Sequence, residues 1–178
     1  MALVKWNFDH AHSSIDFTVR HLLVSKVRGR FTKWSGNLEL DESDLTHSKF
    51  DVDIDLASVD THEPRRDEHL RSADFFEVEK HPKMTFKSKR IEKTADEHLA
   101  VTGDLTLHGT THEVVLNVEP QGVMAKDPWG LRRAGFVATA KINRKEFGVS
   151  YNQVLDQGGL ALSEEVAVTI EIEATAAT

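Results

Sequence analysis

The sequence contains no cysteine, and this absence excludes disulfide bonds, thiolate catalysis and metal or iron–sulfur centres held by cysteine. No stretch approaches the roughly 20 consecutive apolar residues of a membrane-spanning helix, so no membrane span is predicted. The first residues also lack the basic start and long apolar core of a secretory signal. We therefore predict a cytoplasmic protein, or a periplasmic or secreted one if the sequence is a trimmed mature form.

Positive charge is also in short supply, with 22 lysines and arginines against 29 aspartates and glutamates and a net charge of −7. Without a strong basic face, no nucleic-acid partner is expected. The same balance argues against simple electrostatic docking of the whole protein on anionic membranes. With 39% hydrophobic and 29% charged residues, the 178 residues are expected to form one soluble globular domain.

Alternation of apolar and polar residues is the dominant pattern. In residues 14–21, Ile15, Phe17 and Val19 are apolar and their neighbours are polar. In residues 50–56, apolar residues alternate with aspartates. A period of two sorts side chains onto the two faces of a β-strand, whereas a helix would scatter them around its circumference. The same pattern recurs in residues 99–107, 114–118, 136–142 and 166–172. These segments predict an all-β protein.

Short turn signals separate the alternating segments. Residues 108–111 (His-Gly-Thr-Thr) predict a hairpin, and residues 127–130 (Asp-Pro-Trp-Gly) and Gly158-Gly159 predict further turns. Many short strands joined by short turns are typical of a sandwich or a barrel, most often antiparallel. A barrel of about eight strands has an interior that either fills with side chains or holds one ligand, and periodicity does not distinguish the two.

Two local features depart from the alternation. Residues 61–70 predict one short helix, with Thr61 as a possible cap and Pro64 in the first turn. Gly29 and Gly36 lie inside a predicted strand. Glycine at such positions marks a bulge, a bend or a close approach, or an ordinary kink in an edge strand.

Ten histidines raise the alternative of a metal site. His10 and His12 have the spacing that places two side chains on one face of a strand, and His108 and His112 flank the predicted hairpin turn. The alternative hypothesis is therefore a β-barrel metalloenzyme using His10 and His12 with His108 or His112. No nearby carboxylate completes a ligand set, and no nucleophile or phosphate-binding motif is present. We predict a protein that is not an enzyme, with no metal and no catalytic residue.

Six ordered motifs resemble those of the YceI-like family, and together they extend over nearly the whole chain. They are Trp6-Asn7-Phe8-Asp9-x-x-His12-Ser13-x-Ile15-x-Phe17-x-Val19-x-His21, Val27-x-Gly29-x-Phe31, Arg66-Asp67-x-His69-Leu70-x-Ser72-x-Asp74-Phe75-Phe76, Pro82-x-x-x-Phe86, Gly103-x-Leu105-Thr106-Leu107-His108-Gly109-Thr110-Thr111 and Arg144-x-x-Phe147-Gly148. The resemblance implies a single YceI-like domain over residues 1–178.

The resemblance also implies a fold and a ligand. The fold is an antiparallel, lipocalin-like β-barrel of about eight strands with one short helix and a long internal pore. Members of the family bind polyisoprenoids, such as isoprenoid quinones or polyprenyl phosphates, and often form dimers. We therefore expect carriage, storage or sequestration of a long-chain isoprenoid, a homodimer, and no cofactor other than the bound lipid.

Candidate site residues follow from this pore. The lining is predicted to consist of apolar residues from the alternating segments and the family motifs, namely Ile15, Phe17, Val19, Phe31, Phe50, Ile54, Phe75, Phe76, Phe86, Leu105, Phe136 and Phe147. For a charged headgroup, a guanidinium is the natural donor because it binds phosphate or carboxylate through paired hydrogen bonds. The candidates lie in and beside the predicted helix and are Arg66, His69 and Arg71.

Overall fold

The computed structural model describes residues 2–153, 155 and 161–177, so the predicted turn at Gly158-Gly159 lies outside the described residues. The strands are β1 (Val4–Phe8), β2 (Ser14–His21), β3 (Ser25–Phe31), β4 (Trp34–Leu40), β5 (Lys49–Asp55), β6 (Val59–Asp60), β7 (Lys83–Lys93), β8 (Leu99–Leu107), β9 (Thr110–Met124), β10 (Arg133–Asn143) and β11 (Glu165–Ala176), and the α-helix is α1 (Pro64–Arg71). The prediction of a mostly β protein with one short helix is confirmed.

Eight of these strands close into a barrel. Neighbours pair antiparallel in the order β1-β4-β5-β7-β8-β9-β10-β11, and the ring closes where β11 pairs with β1. At this seam Trp6 lies opposite Ala176, and Phe8 lies opposite Ala174. The closed antiparallel barrel of eight strands confirms the predicted fold class.

The other three strands extend the sheet from β11 at one end of the barrel only. There β2 pairs with β11, β3 with β2, and β6 with β3. No pairing joins β6 to β7 within the described part of the chain. At this end the ring of backbone hydrogen bonds is therefore interrupted between β6 and β7. In the sequence, α1 lies between these two strands.

The strand register gives the barrel two different ends. One, called the helix end, carries α1 and the turns at residues 22–24, 108–109 and 144–149. The other, called the N-terminal end, carries the connections at residues 41–48, 94–98 and 125–132. Among the described residues, no helix has the length and apolar character needed to cross a membrane.

Two predicted turns have the expected geometry. His108 and Gly109 join β8 to β9 with positive φ angles of 55° and 75°, which suits a two-residue hairpin turn. In residues 127–130, the N–H of Gly130 donates to the Asp127 carbonyl at 3.0 Å, and the N–H of Trp129 donates to the Asp127 carboxylate at 2.9 Å.

The helix begins three residues later than predicted and has a different cap. Glu63 is its N-cap and accepts the backbone N–H of Arg65. Thr61 instead ties α1 to β6, since its N–H and hydroxyl donate to the buried Asp67 carboxylate at 2.9 and 2.6 Å. Arg66 completes the tie by donating to the Thr61 hydroxyl and carbonyl oxygens, both at 2.8 Å.

Gly29 marks a close approach between neighbouring strands. Phe17 lies opposite Gly29 in the β2–β3 register, and a Cβ at Gly29 would lie only 2.4 Å from Phe17 Cζ. Gly103 on β8 accommodates the ring of Phe86 on β7 in the same way, again at 2.4 Å. Each ring thus rests against the backbone of an adjacent strand in space that a side chain would otherwise occupy.

Candidate functional site

The barrel interior contains two adjoining cavities. The first has a volume of about 170 Å³ and is called the apolar cavity, and the second has a volume of about 400 Å³ and is called the mixed cavity. They adjoin along a shared wall whose members line both cavities: Phe17, Phe31, Met84, Leu105, Ile142 and Val168. The inward faces of the predicted strands therefore leave part of the barrel unfilled.

The apolar cavity is walled almost entirely by hydrocarbon. Among the described residues that line it, the polar groups come from three side chains: the Asp16 carboxylate, the Ser48 hydroxyl and the Trp34 indole N–H. Phe50 and Phe86 stack in its wall with ring centroids 5.5 Å apart. Of the predicted lining residues, it is lined by Ile15, Phe17, Phe31, Phe50, Ile54, Phe86, Leu105 and Phe136.

The mixed cavity lies towards the helix end and combines apolar and polar walls. Of the predicted lining residues, it is lined by Phe17, Val19, Phe31, Phe75, Phe76 and Leu105. Its polar side chains come from β2, α1, the turn after β10 and the segment that follows, and they are His21, Arg66, His69, Arg144, Tyr151 and Gln153. A polar group bound in the barrel would find donors in this cavity.

Three rings form a cluster in the wall of the mixed cavity. His69 makes edge contacts with Phe75 and Tyr151 at centroid distances of 5.0 and 5.1 Å, and Phe75 contacts Tyr151 at 5.1 Å. His69 Nε2 lies 2.8 Å from the Asp74 carboxylate. This hydrogen bond and the ring contacts fix the orientation of the imidazole.

Arg144 is a buried cation in the same wall, with 6% of its surface exposed. Its Nη1 donates to the carbonyl oxygens of Val149 and Tyr151 at 2.8 and 2.9 Å, and its Nε donates to that of Ser163 at 2.9 Å. Nη2 is buried and has no hydrogen-bond partner among the described residues. Burial lowers the pKa of the Arg144 guanidinium from its usual value, and the charge of Glu164 opposes that shift.

Arg144 and Tyr151 are absent from the predicted site. The one sequence signal for Arg144 is its place at the start of the last family motif, directly after the alternating segment that forms β10. Nothing in the local sequence distinguishes an inward guanidinium there from an ordinary surface arginine.

The structure places two predicted site residues outside both cavities. Phe147 lies in the short 3-10 helix Arg144–Phe147 and is fully buried in the main core. Its ring packs against that of His112 at a centroid distance of 5.2 Å and lines neither cavity. Arg71 donates to the carbonyl oxygens of Ala57 and Val59 at 3.0 and 3.5 Å. It thus ties α1 to the chain around β6, and does not reach the cavity that Arg66 and His69 line.

The histidines of the alternative hypothesis do not form a shared site. His10 and His12 lie in a 3-10 turn between β1 and β2, whereas His108 and His112 lie at the β8–β9 hairpin. His108 contacts the ring of His81 at a centroid distance of 4.8 Å. These positions give no support to the alternative of a metalloenzyme.

One group of metal-capable side chains converges among the described residues, namely Asp9, His12 and Glu173, whose ligand atoms lie within 4.8 Å of one another. Arg133 already donates to the carboxylates of Asp9 and Glu173 at 2.7 and 3.0 Å, and to that of Asp127 at 2.9 Å. Burial alone would raise the pKa of Asp9, but hydrogen bonds from Arg133 and His12 lower it below its usual value. A guanidinium therefore supplies the positive charge that this group needs.

Comparison with known sequences identifies relatives that match most of the chain. Residues 6–174 match the YceI-like domain. A UPF0312 protein of Staphylococcus epidermidis is 42% identical over 164 residues, which cover 92% of this chain and 93% of the relative. A UPF0312 protein of Vibrio cholerae is 42% identical over 139 residues, which cover 78% of this chain and 73% of the relative.

Solved structures share the architecture. A YCEI protein of Campylobacter jejuni has a TM-score of 0.77 at 34% identity, covering 89% of this chain and 90% of its own. BcnA of Burkholderia cenocepacia has a TM-score of 0.82 at 23% identity, covering 97% and 100%. A polyisoprenoid binding domain from Saccharophagus degradans has a TM-score of 0.70 at 17% identity, covering 99% and 100%. From the matched domain and the relatives in sequence, the chain belongs to the YceI-like family.

Proposed function

We propose that the protein binds a long-chain polyisoprenoid, of the isoprenoid quinone or polyprenyl phosphate type, for carriage, storage or sequestration. The observation that carries this proposal is the pair of adjoining cavities, of which the apolar cavity has an almost wholly hydrocarbon wall. The fold shared with a domain described as polyisoprenoid binding supports it. A binding role rather than catalysis is also supported by the separation of the two histidine pairs.

The chemistry of an isoprenoid tail suits this interior. The tail has no hydrogen-bonding group, so it needs a dry, apolar enclosure of sufficient width and little else. Each buried CH₂ contributes roughly 0.8 kcal/mol, so one five-carbon unit contributes about 3 kcal/mol before ordering costs. The mixed cavity alone, at about 400 Å³, falls within the roughly 300–1,000 Å³ typical of small-molecule sites.

The two walls suggest an orientation for the ligand. We assign the tail to the apolar cavity and the headgroup to the mixed cavity, because the polar side chains lie in the latter. Arg66, His69 and Arg144 are the proposed headgroup residues. The Nε and Nη2 atoms of Arg66 donate to the hydroxyl and carbonyl oxygens of Thr61. Its Nη1 is therefore the donor that we assign to the headgroup. The homodimer implied by the family also remains part of the proposal.

The test pairs lipid extraction with a charge placed inside the barrel. Phe17 lines both cavities, and Thr18 is the next residue on β2, on the other face of the strand. Mass spectrometry of an organic extract of the purified protein should detect an isoprenoid. Phe17→Asp should retain at least about tenfold less of it than Thr18→Asp, because a carboxylate beside the tail loses hydration without gaining a partner.

A thermal melt of both variants shows whether each one is folded. A folded Phe17→Asp protein with the lipid content of the wild type would contradict the proposed site. If the wild-type extract holds no isoprenoid and the lipid-free protein does not take up an added isoprenoid quinone, the proposed function is wrong.

A further inference from the structure

The turn between β2 and β3 exposes three consecutive apolar side chains. Leu22, Leu23 and Val24 are 41%, 65% and 83% exposed, and they are called here the apolar turn. Single exposed apolar residues are common on soluble proteins. Three in sequence at the tip of a hairpin form a projecting patch, and such a patch is typical of a surface that contacts another apolar phase.

The backbone of the apolar turn is held in an unfavourable conformation. Leu22 and Leu23 have positive φ angles of 53° and 61°, where asparagine and glycine are the usual residues of a hairpin turn. The N–H of Val24 donates to the His21 carbonyl at 3.2 Å, and that of Leu22 donates to the Ala161 carbonyl at 2.7 Å. The fold therefore fixes bulky side chains outward at positions that disfavour them, which is characteristic of functional segments.

Basic residues occupy the outer face of the same hairpin. Arg20 lies directly opposite Lys26 in the β2–β3 register, Arg28 follows on the same face, and all three are exposed. Like charges directly opposite each other are unfavourable in a sheet. Arg30 pairs with Asp16 at 3.5 Å, whereas none of the other three pairs with a carboxylate among the residues that the structure describes. An anionic surface would compensate these charges.

The inner face of the hairpin belongs to the mixed cavity. Val19, His21 and Val27, all within a few residues of the apolar turn, line that cavity. The hairpin thus carries three features on three sides: apolar residues at its tip, basic residues outside, and a wall of the cavity inside.

We propose that this hairpin docks the protein on an anionic phospholipid bilayer. The side chains of the apolar turn enter the region between headgroups and acyl chains, and the basic residues behind them contact lipid phosphates. The net charge of −7 disfavours adsorption through the rest of the surface, so docking occurs through the helix end. Exchange of an isoprenoid between bilayer and mixed cavity at this contact rests on the function proposed above, but docking itself does not.

The test measures co-sedimentation with vesicles of equal parts phosphatidylglycerol and phosphatidylcholine, against vesicles of phosphatidylcholine alone. Binding should favour the anionic vesicles and weaken with added salt, as expected for exposed charges. Leu22→Asn/Leu23→Gly should weaken binding by at least about tenfold, since two apolar side chains no longer leave water. This double variant suits the positive φ angles, so it should melt no lower than the wild type.

Two further variants separate the contributions. Lys26→Gln/Arg28→Gln should weaken binding to the anionic vesicles by roughly tenfold or more, because each basic residue near such a surface contributes about fivefold. Binding should also become less sensitive to salt. Trp129 is 74% exposed at the N-terminal end, and Trp129→Ala serves as the matched control that should bind like the wild type.

Three results would overturn the docking proposal. They are no binding of the wild type to anionic vesicles, loss of binding in Trp129→Ala alone, or a dimer that Leu22→Asn/Leu23→Gly dissociates while vesicle binding is unchanged. Lipid extraction keeps the two proposals apart: vesicle binding by a protein that takes up no isoprenoid would refute the ligand only, and isoprenoid uptake without vesicle binding would refute the docking only.

Discussion

The two ends of the barrel are held together in different ways. At the N-terminal end, β1 pairs with both β4 and β11, so backbone hydrogen bonds continue around the whole ring. At the helix end the ring is interrupted, and α1 is tied to the strands by side chains, chiefly through Thr61, Asp67 and Arg71. We therefore expect the N-terminal end to contribute most to the stability of the barrel. A ligand is expected to enter at the helix end, because the end that lacks continuous pairing is the one beside the larger and more polar cavity.

The packing of the two ends follows the same division. Trp6 is 1% exposed and forms a compact cluster at the N-terminal end with Leu38, Leu40 and small residues of β10 and β11. Around the mixed cavity, by contrast, Phe76 and Tyr151 are only partly buried. We therefore expect substitutions at the N-terminal end to act on the free energy of unfolding, and those near the mixed cavity to act on ligand content as well.

The largest expected effect is that of Trp6→Ala. Truncating this buried ring should lower the free energy of unfolding by about 3–5 kcal/mol, because the cavity left behind is only partly closed by relaxation. Its Nε1 has no hydrogen-bond partner among the described residues, so the loss reflects packing and the contact of the ring with the Arg132 guanidinium at 5.6 Å. Urea unfolding would measure it, with Trp129→Ala as a control that should change stability by at most about 1 kcal/mol, because this exposed ring loses only its contact with the Arg133 guanidinium at 5.8 Å. Equal losses in both variants would show that the N-terminal cluster is not a stabilising core.

An intermediate effect is expected for Gly29→Ala near the mixed cavity. The new methyl group would meet Phe17 Cζ at 2.4 Å and Thr61 Cγ2 at 2.9 Å, and such overpacking costs about 1–3 kcal/mol. Moving the Phe17 ring into the interior should also reduce the extracted isoprenoid. Gly135→Ala is the matched control, because its nearest neighbour would be Gln121 Cβ at an ordinary 3.4 Å. Unchanged lipid content in a folded Gly29→Ala protein would place the ligand away from Phe17.

The smallest effect concerns acid stability at the N-terminal end. Hydrogen bonds from Ser43, and further ones from His47 and the Asp44 backbone, outweigh burial and lower the pKa of Asp41 from 3.8 to about 2. Because the folded-state pKa lies below that of the unfolded chain, ionised Asp41 stabilises the fold above pH 3.8, and this contribution is lost as the pH falls towards about 2. The free energies of unfolding of the wild type and of Asp41→Asn should differ most above pH 3.8 and approach each other as the pH falls to about 2. A constant difference at every pH would exclude this origin.

Much of the fold could be predicted because alternation reports directly on a half-buried strand. Residues 14–21 and 99–107 form β2 and β8 with the predicted bounds. The interruption between β3 and β4 could not be predicted in this way, since Phe31 and Trp34 lie in one apparently continuous segment. The pairing of β11 with both β1 and β2 depends on contacts between distant parts of the chain.

The site was harder to predict than the fold. Arg66 and Arg71 look equivalent in sequence, but five residues of helix turn them to different faces, and only Arg66 lines the mixed cavity. The apolar turn carries neither glycine nor asparagine, so Leu22 and Leu23 continue the apolar pattern of β2 without a turn signal. In each case the informative property is a direction in space, which a local pattern does not specify.

The pairing of the first strand with the last has a practical consequence. The N–H of Ala177 donates to the Lys5 carbonyl at 2.9 Å, so the two extremities of the folded domain run side by side. Chains with neighbouring extremities tolerate circular permutation well. A short linker joining them, with new extremities opened in an exposed connection such as residues 94–98, should yield a permuted barrel. A fluorophore or surface tether attached near either extremity would leave the apolar turn and the mixed cavity at the far end unobstructed.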